Sequence, residues 1–389
     1  MNASTKYLAR YAESHIKDQL PVDNYSAAIV IPAFNESPSA ILTIHAQAIA
    51  AGALLIVVVN YPEHTSLAEI AHTRSLLETL TSVNSRHLLV LDGMDSPLPR
   101  QRGVGLARKI GTDIALRLHH ANQLTSPWLY MTDADVMLPA NYFSHPLDGS
   151  GAYVFAHRHQ TDDHTVRRAI NLYDQHMAYY IAGLTFAGSR HAYPTLGSTI
   201  AVHAETYAQV RGFPRKNAGE DFYLLNKIVK IAPVRYCPQV LVTVTARLSQ
   251  RVPFGTGPAL EKISELLVGE PSGASYMSYN FNAFELLREA LGALNQFATT
   301  GQFSASKPIN DILNTLGWQQ REALFRTRYQ PKQRRKAVLD WFDGLKTLKF
   351  IHATRLLFPD QPLLETFSVL PSSVLATIAS HYLCETSHT

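Results

Sequence analysis

The chain has 389 residues, 46% of them hydrophobic and 17% charged. That composition describes a globular, well-buried protein with room for one large α/β domain plus an appendage, or for two domains. A formal net charge of +4 suits a phosphate-bearing ligand and is too mild to demand nucleic acid.

Residues 1–25 are polar and charged, without the apolar core of a signal peptide, and read as an N-terminal helical extension. Residues 27–33 read as a first strand ending at Pro32. From Ser37 to Pro62 no charged residue occurs, a stretch long enough to suggest a membrane span. It divides better into a helix and a strand. Ser37-Pro38 is a helix start, with Ile41, Ile44, Ala48 and Ile49 at helical spacing. Gly52 stops that helix, and residues 54–59 form a buried β-branched strand. His45 and Gln47 would also be costly in lipid. A helical stretch over 65–84 leads to a strand at 87–91. A helix follows over 103–120, with Ala107, Ile110, Ile114 and Leu118 on one face. The next strand ends at Asp133. Strands alternating with helices predict an α/β fold with a doubly wound, mainly parallel sheet.

Past Pro139 the pattern changes. Residues 152–159 and 241–246 read as strands, 165–183 as an aromatic-rich helix, and 247–257 as a loop. Beyond Pro258 the chain reads as helical, with helices over 260–268, 283–297, 309–316, 336–348 and 373–382. The expected organisation is therefore an extension at 1–25, a sheet domain at 26–257 and a helical C-terminal region at 258–389. Cys237 and Cys384 match no metal or redox spacing, so a reduced, cytoplasmic setting is expected.

The run Trp128-Leu129-Tyr130-Met131-Thr132-Asp133-Ala134-Asp135 passes from apolar to doubly acidic. Residues two apart on an extended chain point to one side. Two carboxylates so placed make a hard oxygen site for Mg2+ or Mn2+ that leaves positions open for phosphates. An acidic pair also ends many strands as a solvated turn. Pro32, Ala33 and Glu36, then Asn60, then Asp133 and Asp135 all fall at carboxyl ends of predicted strands, where such sheets bind ligands.

Five features occur in order: Ile31-Pro32-Ala33-Phe34-Asn35-Glu36; the helix start Gly103 to Gly111; Thr132-Asp133-Ala134-Asp135; Gly197-Ser198-Thr199 ahead of Arg211-Gly212-Phe213; and Gly219-Glu220-Asp221 opening an apolar helix. Over residues 26–255 this ordered set resembles the family 2 glycosyltransferases of the GT-A fold. The resemblance implies transfer of a sugar from a nucleotide-diphosphate sugar, UDP-linked by preference, to a hydroxyl. Such chemistry needs positive charge on the leaving diphosphate and a carboxylate to take the acceptor proton. By similarity Asp135 would bind Mn2+ or Mg2+ directly, and Asp133 would contact the ribose or a metal-bound water. Pro32, Ala33 and Glu36 would border the nucleoside, and Arg108 or Lys109 would lie near the nucleotide. Asp221 would be the base of an inverting reaction, with Glu220 as its neighbour. Those two acids also suit the first turn of any helix.

Arg247 and Arg251 would close over the diphosphate, or belong to a plain linker. His157, His159, Tyr179, Tyr180, His191 and Tyr193 would line an acceptor pocket, or fill a core. Lys332, Arg334, Arg335 and Lys336 form a basic cluster suited to anionic lipid or to a solvated helix face. The chain departs from the family pattern at Asn60-Tyr61-Pro62-Glu63, where an acidic pair is usual. It departs again at Arg211, where glycine is common, and in lacking a clear histidine ligand after the domain. The acceptor is a carbohydrate, a lipid-linked sugar or a small molecule. Peripheral contact with the inner membrane surface and a homodimer are both compatible with the helical region, and no nucleic-acid partner is expected. A nucleotidyltransferase is the competing enzyme class, although Pro-Ala-Phe-Asn-Glu replaces its usual glycine-rich loop. A non-catalytic nucleotide-sugar-binding module is the competing binding class.

Overall fold

A computed structural model describes residues 2–13, 20–99, 102–216, 218–248 and 255–381. The chain divides into two compact units, Met1–Asp162 with Thr195–Pro258, and Asp163–Pro194 with Ala259–Thr389. Residues 163–194, within the range read as the sheet domain, thus cluster with the helical region, and the N-terminal residues cluster with the sheet.

In the first unit, α1 (Ala3–Arg10) starts where the Asn2 side chain accepts a hydrogen bond from the Thr5 amide at 2.8 Å. Then come β1 (Ala28–Ala33), α2 (Pro38–Ala50) and β2 (Leu54–Val59), the helix and strand expected from the uncharged stretch. Helix α3 (Leu67–Thr81) opens on a Ser66–Glu69 capping box, followed by β3 (Leu88–Asp92) and α4 (Gly103–His120). Strands β4 (Trp128–Met131), β5 (Val136–Met137) and β6 (Ala152–Gln160) precede helix α5 (His164–Phe186) of the second unit. The first unit resumes with β7 (Ile200–His203), α6 (Ala204–Gln209), α7 (Glu220–Ile228) and β8 (Val234–Thr245).

These strands form one sheet in the order β3-β2-β1-β4-β7-β6-β8-β5. Strands β1 to β4 run parallel, β6 runs parallel to β8, and β7 lies antiparallel between β4 and β6. Side chains alternate across the sheet. Ile29, Ile31, Leu55 and Val57 pack with Ile41, Ile44 and Leu76 of α2 and α3. Val30 and Val58 face α4, where a Cβ on Gly111 would lie 2.3 Å from Val30 Cγ1. Helices thus cover both faces, the doubly wound α/β arrangement that the alternation predicts.

Two differences have local causes. Strand β7 is four residues long and carries no alternation that a sequence window can read. Strand β8 starts seven residues before the expected position because its pairing with β6 slips between Phe155 and Ala156, a bulge that accommodates Pro238.

The second unit adds α8 (Thr256–Gly269), β9 (Met277–Ser278), α9 (Asn282–Thr300), α10 (Lys307–Thr315) and α11 (Trp318–Arg328). It continues with α12 (Pro331–Trp341), α13 (Gly344–Ala353), β10 (Gln361–Pro362), α14 (Leu363–Phe367) and α15 (Ser372–His381). The helix expected over 336–348 is two helices. Asp343 caps the second by accepting from the Lys346 amide at 3.1 Å. Its core joins Phe284, Phe297, Trp318 and Phe350. Among the described residues no helix is long and apolar enough to cross a membrane.

Candidate functional site

Because β1, β2, β4 and β8 all run one way, their carboxyl ends share an edge. Glu36 follows β1, Asn60 follows β2, Asp133 and Asp135 follow β4, and Arg247 follows β8. The short pairing of β5 with β8 carries the acidic turn to the strand that delivers Arg247. The Thr245 amide donates to Asp135 O at 2.9 Å. Arg247 Nη2 then bridges Glu36 Oε1 at 2.9 Å and Asp135 Oδ2 at 3.1 Å.

The second guanidinium comes from α4. Arg108 is 4% exposed and donates from Nη2 to Asp133 Oδ1 at 2.6 Å. Its Nε lies 3.1 Å from Glu220 Oε1, close enough for an ion pair but angled away from a hydrogen bond. Among the described residues its buried Nη1 has no hydrogen-bond partner. The guanidinium passes over Gly197, where a Cβ would stand 2.3 Å from Nη1. Only glycine leaves room there. Beside it the buried Ser198 hydroxyl likewise has no hydrogen-bond partner among the described residues.

Glu220 and Asp221 form the first turn of α7, which follows Gly219 at φ +69°. Asp221 Oδ1 accepts from the Phe222 amide at 2.7 Å, as acids do at helix N-termini. Glu220 is buried and Asp221 half-buried.

Among the described residues these ion pairs set four carboxylates (Glu36, Asp133, Asp135 and Glu220) against two guanidiniums, and the charge of Asp221 also acts on Arg108. The imbalance shows in their protonation. Burial and then Asp133 push the Asp135 carboxyl up to about 6 against the pull of Arg247, with Glu36 adding to the rise. Burial pushes Glu220 up to about 7 against Arg108, with Asp221 adding to the rise. Asp221 is raised by burial against Arg108 and its own helix amide. Burial works against the Arg108 cation, yet Asp133, Glu220 and Asp221 hold it above its ordinary value. Surplus carboxylate oxygen of this kind fits a hard divalent cation.

Other residues singled out from sequence stand elsewhere. Lys109 is not brought to these acids. Its amine bonds Tyr7 Oη at 2.6 Å, Asp113 Oδ2 at 2.7 Å and Tyr11 O at 2.9 Å, on a different face of α4. Ala33 is fully buried and Pro32 half-buried in β1. Asn60 is buried and donates to Val58 O at 3.1 Å. Arg251 lies outside the described residues. Tyr179 is a core residue whose hydroxyl donates to Tyr279 O at 2.8 Å. Arg334 leaves the basic cluster and points inward, donating to Ala298 O and Thr299 O at the end of α9. Sequence reasoning gave no role to Gly197, which needs the folded position of Arg108 to be understood. It also missed Tyr7, whose partners lie about a hundred residues away.

No protein-family model matches the sequence, and no curated protein matches it significantly. Among solved structures, the chain is similar to the mannosyltransferase PcManGT from Pyrobaculum calidifontis, described as a complex with GDP-Man and Mn2+. The two are 18% identical, over 89% of this chain and 94% of that one, at a TM-score of 0.37. A mycobacterial protein is 12% identical over 71% of this chain and 82% of that one, at a TM-score of 0.30. Overlap at this level does not establish a shared activity, so the functional reading rests on the side chains just described.

Proposed function

We propose that the carboxyl edge of the sheet is the active site of a GT-A-type glycosyltransferase. It moves a sugar from a nucleotide-diphosphate donor, UDP-linked by preference, to a hydroxyl acceptor with inversion. The observation that carries this reading is the convergence of four carboxylates on two guanidiniums, with Asp135 and Glu220 pushed up to about 6 and about 7. A structural ion-pair network is normally balanced. Among the described residues carboxylates outnumber cations at this strand-end edge, which suits a cation and a base.

Asp133 and Asp135 would hold Mg2+ or Mn2+, which supplies positive charge to the departing diphosphate. The residues of the chain divide the remaining work. Asp221 has one oxygen fixed by the Phe222 amide, and the other takes the proton of the acceptor hydroxyl. The bond from acceptor oxygen to anomeric carbon then forms as the bond to the diphosphate breaks. Burial raises its pKa, which strengthens it as a base once deprotonated. Glu220 keeps Arg108 in place, and Arg108 and Arg247 keep positive charge beside the acids. Glu36 would border the nucleoside with Pro32, Ala33 and Asn60.

The test is turnover of a nucleotide-sugar panel with Mn2+, followed by release of the nucleoside diphosphate. The expected result is slow hydrolysis of one donor that disappears in Asp135→Ala and falls sharply in Asp221→Asn. Failure of every nucleotide sugar to bind, with and without metal, would end this reading.

A further inference from the structure

Arg108 sits on α4, and Glu220 and Asp221 on α7; the N-terminal helix bears on α4 directly and on the loop that leads into α7. Tyr7 of α1 is 1% exposed. Its hydroxyl donates to Asp113 Oδ1 at 2.6 Å and accepts from Lys109 Nζ at 2.6 Å. Asp113 also accepts from Tyr207 Oη at 2.9 Å and from the Glu13 amide at 2.9 Å. Lys109 is the residue after Arg108, about 100° further round the helix. Tyr7 is thus bonded to the residue next to Arg108 and to Asp113 one turn further along α4.

The same tyrosine abuts the loop that leads into α7. A Cβ on Gly212 (φ +64°) would lie 2.3 Å from Tyr7 Oη and 2.8 Å from Tyr207 Oη. Gly212 O in turn accepts from Lys227 Nζ of α7 at 2.6 Å. Its neighbour Arg211 adopts φ +62°, a conformation costly for a side chain with a Cβ. The Arg211 guanidinium lies 4.8 Å from the Tyr11 ring centroid of the N-terminal segment. Arg215 donates to Glu13 at 2.8 Å. Further along the loop, Lys216 O accepts from the Gly105 amide of α4 at 3.0 Å, and a Cβ on Gly105 would collide with that oxygen at 2.4 Å. Residues 2–13 thus bear on both carriers of the site, and on the strained position where the chain departs from the family pattern.

We propose that Tyr7 is a positioning residue, and that the N-terminal helix acts through it to set Arg108 against Asp133 and Glu220. This rests on the glycosyl-transfer reading for its kinetic effect, but not for its structural one. Two measurements on the full chain test it. In kinetics, Tyr7→Ala should lower kcat by about 10- to 100-fold while donor KM changes less than about threefold. Tyr7→Phe, which keeps the ring, should lose only part of that, and Lys6→Ala on the exposed side of α1 should behave like the unmodified protein. In thermal unfolding, Tyr7→Phe and Arg108→Gln should be non-additive by about 2 °C or more, because they loosen one coupled assembly. A folded Tyr7→Ala protein with unchanged kcat, or strictly additive melting shifts, would overturn the proposal. If no donor is turned over by the unmodified protein, the functional reading fails, and the melting cycle still decides the role of Tyr7.

Discussion

Asp135 is a carboxylate whose burial favours its protonated form more than water does. Its side chain is 23% exposed, and its pKa rises from 3.8 to about 6 through burial and the neighbouring Asp133. A folded pKa above the unfolded value means that the native state holds the proton more tightly. Stability from this group is therefore complete below about pH 4, declines as pH rises from 4 to 6, and is absent above that. The two-unit rise corresponds to about 1–3 kcal/mol of penalty in the charged state. Asp135→Asn should remove it, raising the midpoint of thermal unfolding by about 2–6 °C at pH 8. Little change is expected at pH 4, and differential scanning fluorimetry across that range is the check. Asp221→Asn should cut kcat by about 10²- to 10⁴-fold with donor affinity retained. In the unmodified protein, kcat should fall as pH drops through the raised Asp221 pKa, because a protonated acid accepts nothing. Such acids were legible from sequence only as members of an ordered set of motifs, since each pair alone also suits a solvated strand end or a helix start. Arg108 and Lys109 were not separable there. Adjacent on a helix, they point to different partners, and only the packed helix shows which one reaches Asp133.

At the level of elements, α4 carries Arg108 and touches the sheet through a glycine. Gly111 lies so close to β1 that an alanine methyl would stand 2.3 Å from Val30 Cγ1 and 3.1 Å from Val58 Cγ2. Gly111→Ala should cost about 1–3 kcal/mol of stability through overpacking. Gly197→Ala should act differently, since its methyl meets the Arg108 guanidinium rather than the core. It should reduce turnover at least tenfold with a smaller effect on melting, which parallel kinetics and thermal scans would separate. The alternation of β1, α2, β2, α3, β3, α4 and β4 was readable because each carries an apolar run set off by polar or turn residues, with β4, only four residues long, marked by the acidic pair after it. Strand β7 was too short to read, and Pro238 hid the first half of β8 behind a bulge. Helix α11 was hidden because only Trp318 and Phe325 of its eleven residues are buried. The break between α12 and α13 falls in an unbroken apolar pattern that Asp343 interrupts only by capping.

Among the described residues, one apolar core surrounds the sheet and another, rich in aromatic residues, fills the helical unit. In the second, a methyl at Gly183 would meet the Phe284 ring at 2.6 Å. Gly183→Ala should therefore destabilise that core. If the cores unfold in steps, calorimetry should show one transition lowered by Gly183→Ala and another by Gly111→Ala. Mn2+ should raise the sheet unit's transition at pH 8, where the site acids are ionised. The rise should fade below about pH 6 as Asp135 takes up its proton.

The reversed strand β7 has one more effect. Strands β1, β2, β4 and β8 reach the carboxyl edge with their last residues, so what each contributes is whatever follows. Strand β7 reaches that edge with its first residue, Ile200, and so lays Gly197, Ser198 and Thr199 there as an approach. The edge is thus furnished from two directions along the chain. Glu36, Asp133, Asp135 and Arg247 are supplied on the way out of the sheet, Glu220 and Asp221 by α7, and the small residues that leave room for Arg108 on the way in. Changing the length of the segment ahead of Gly197 would reshape the floor beneath Arg108 without altering the register of any acid-bearing strand.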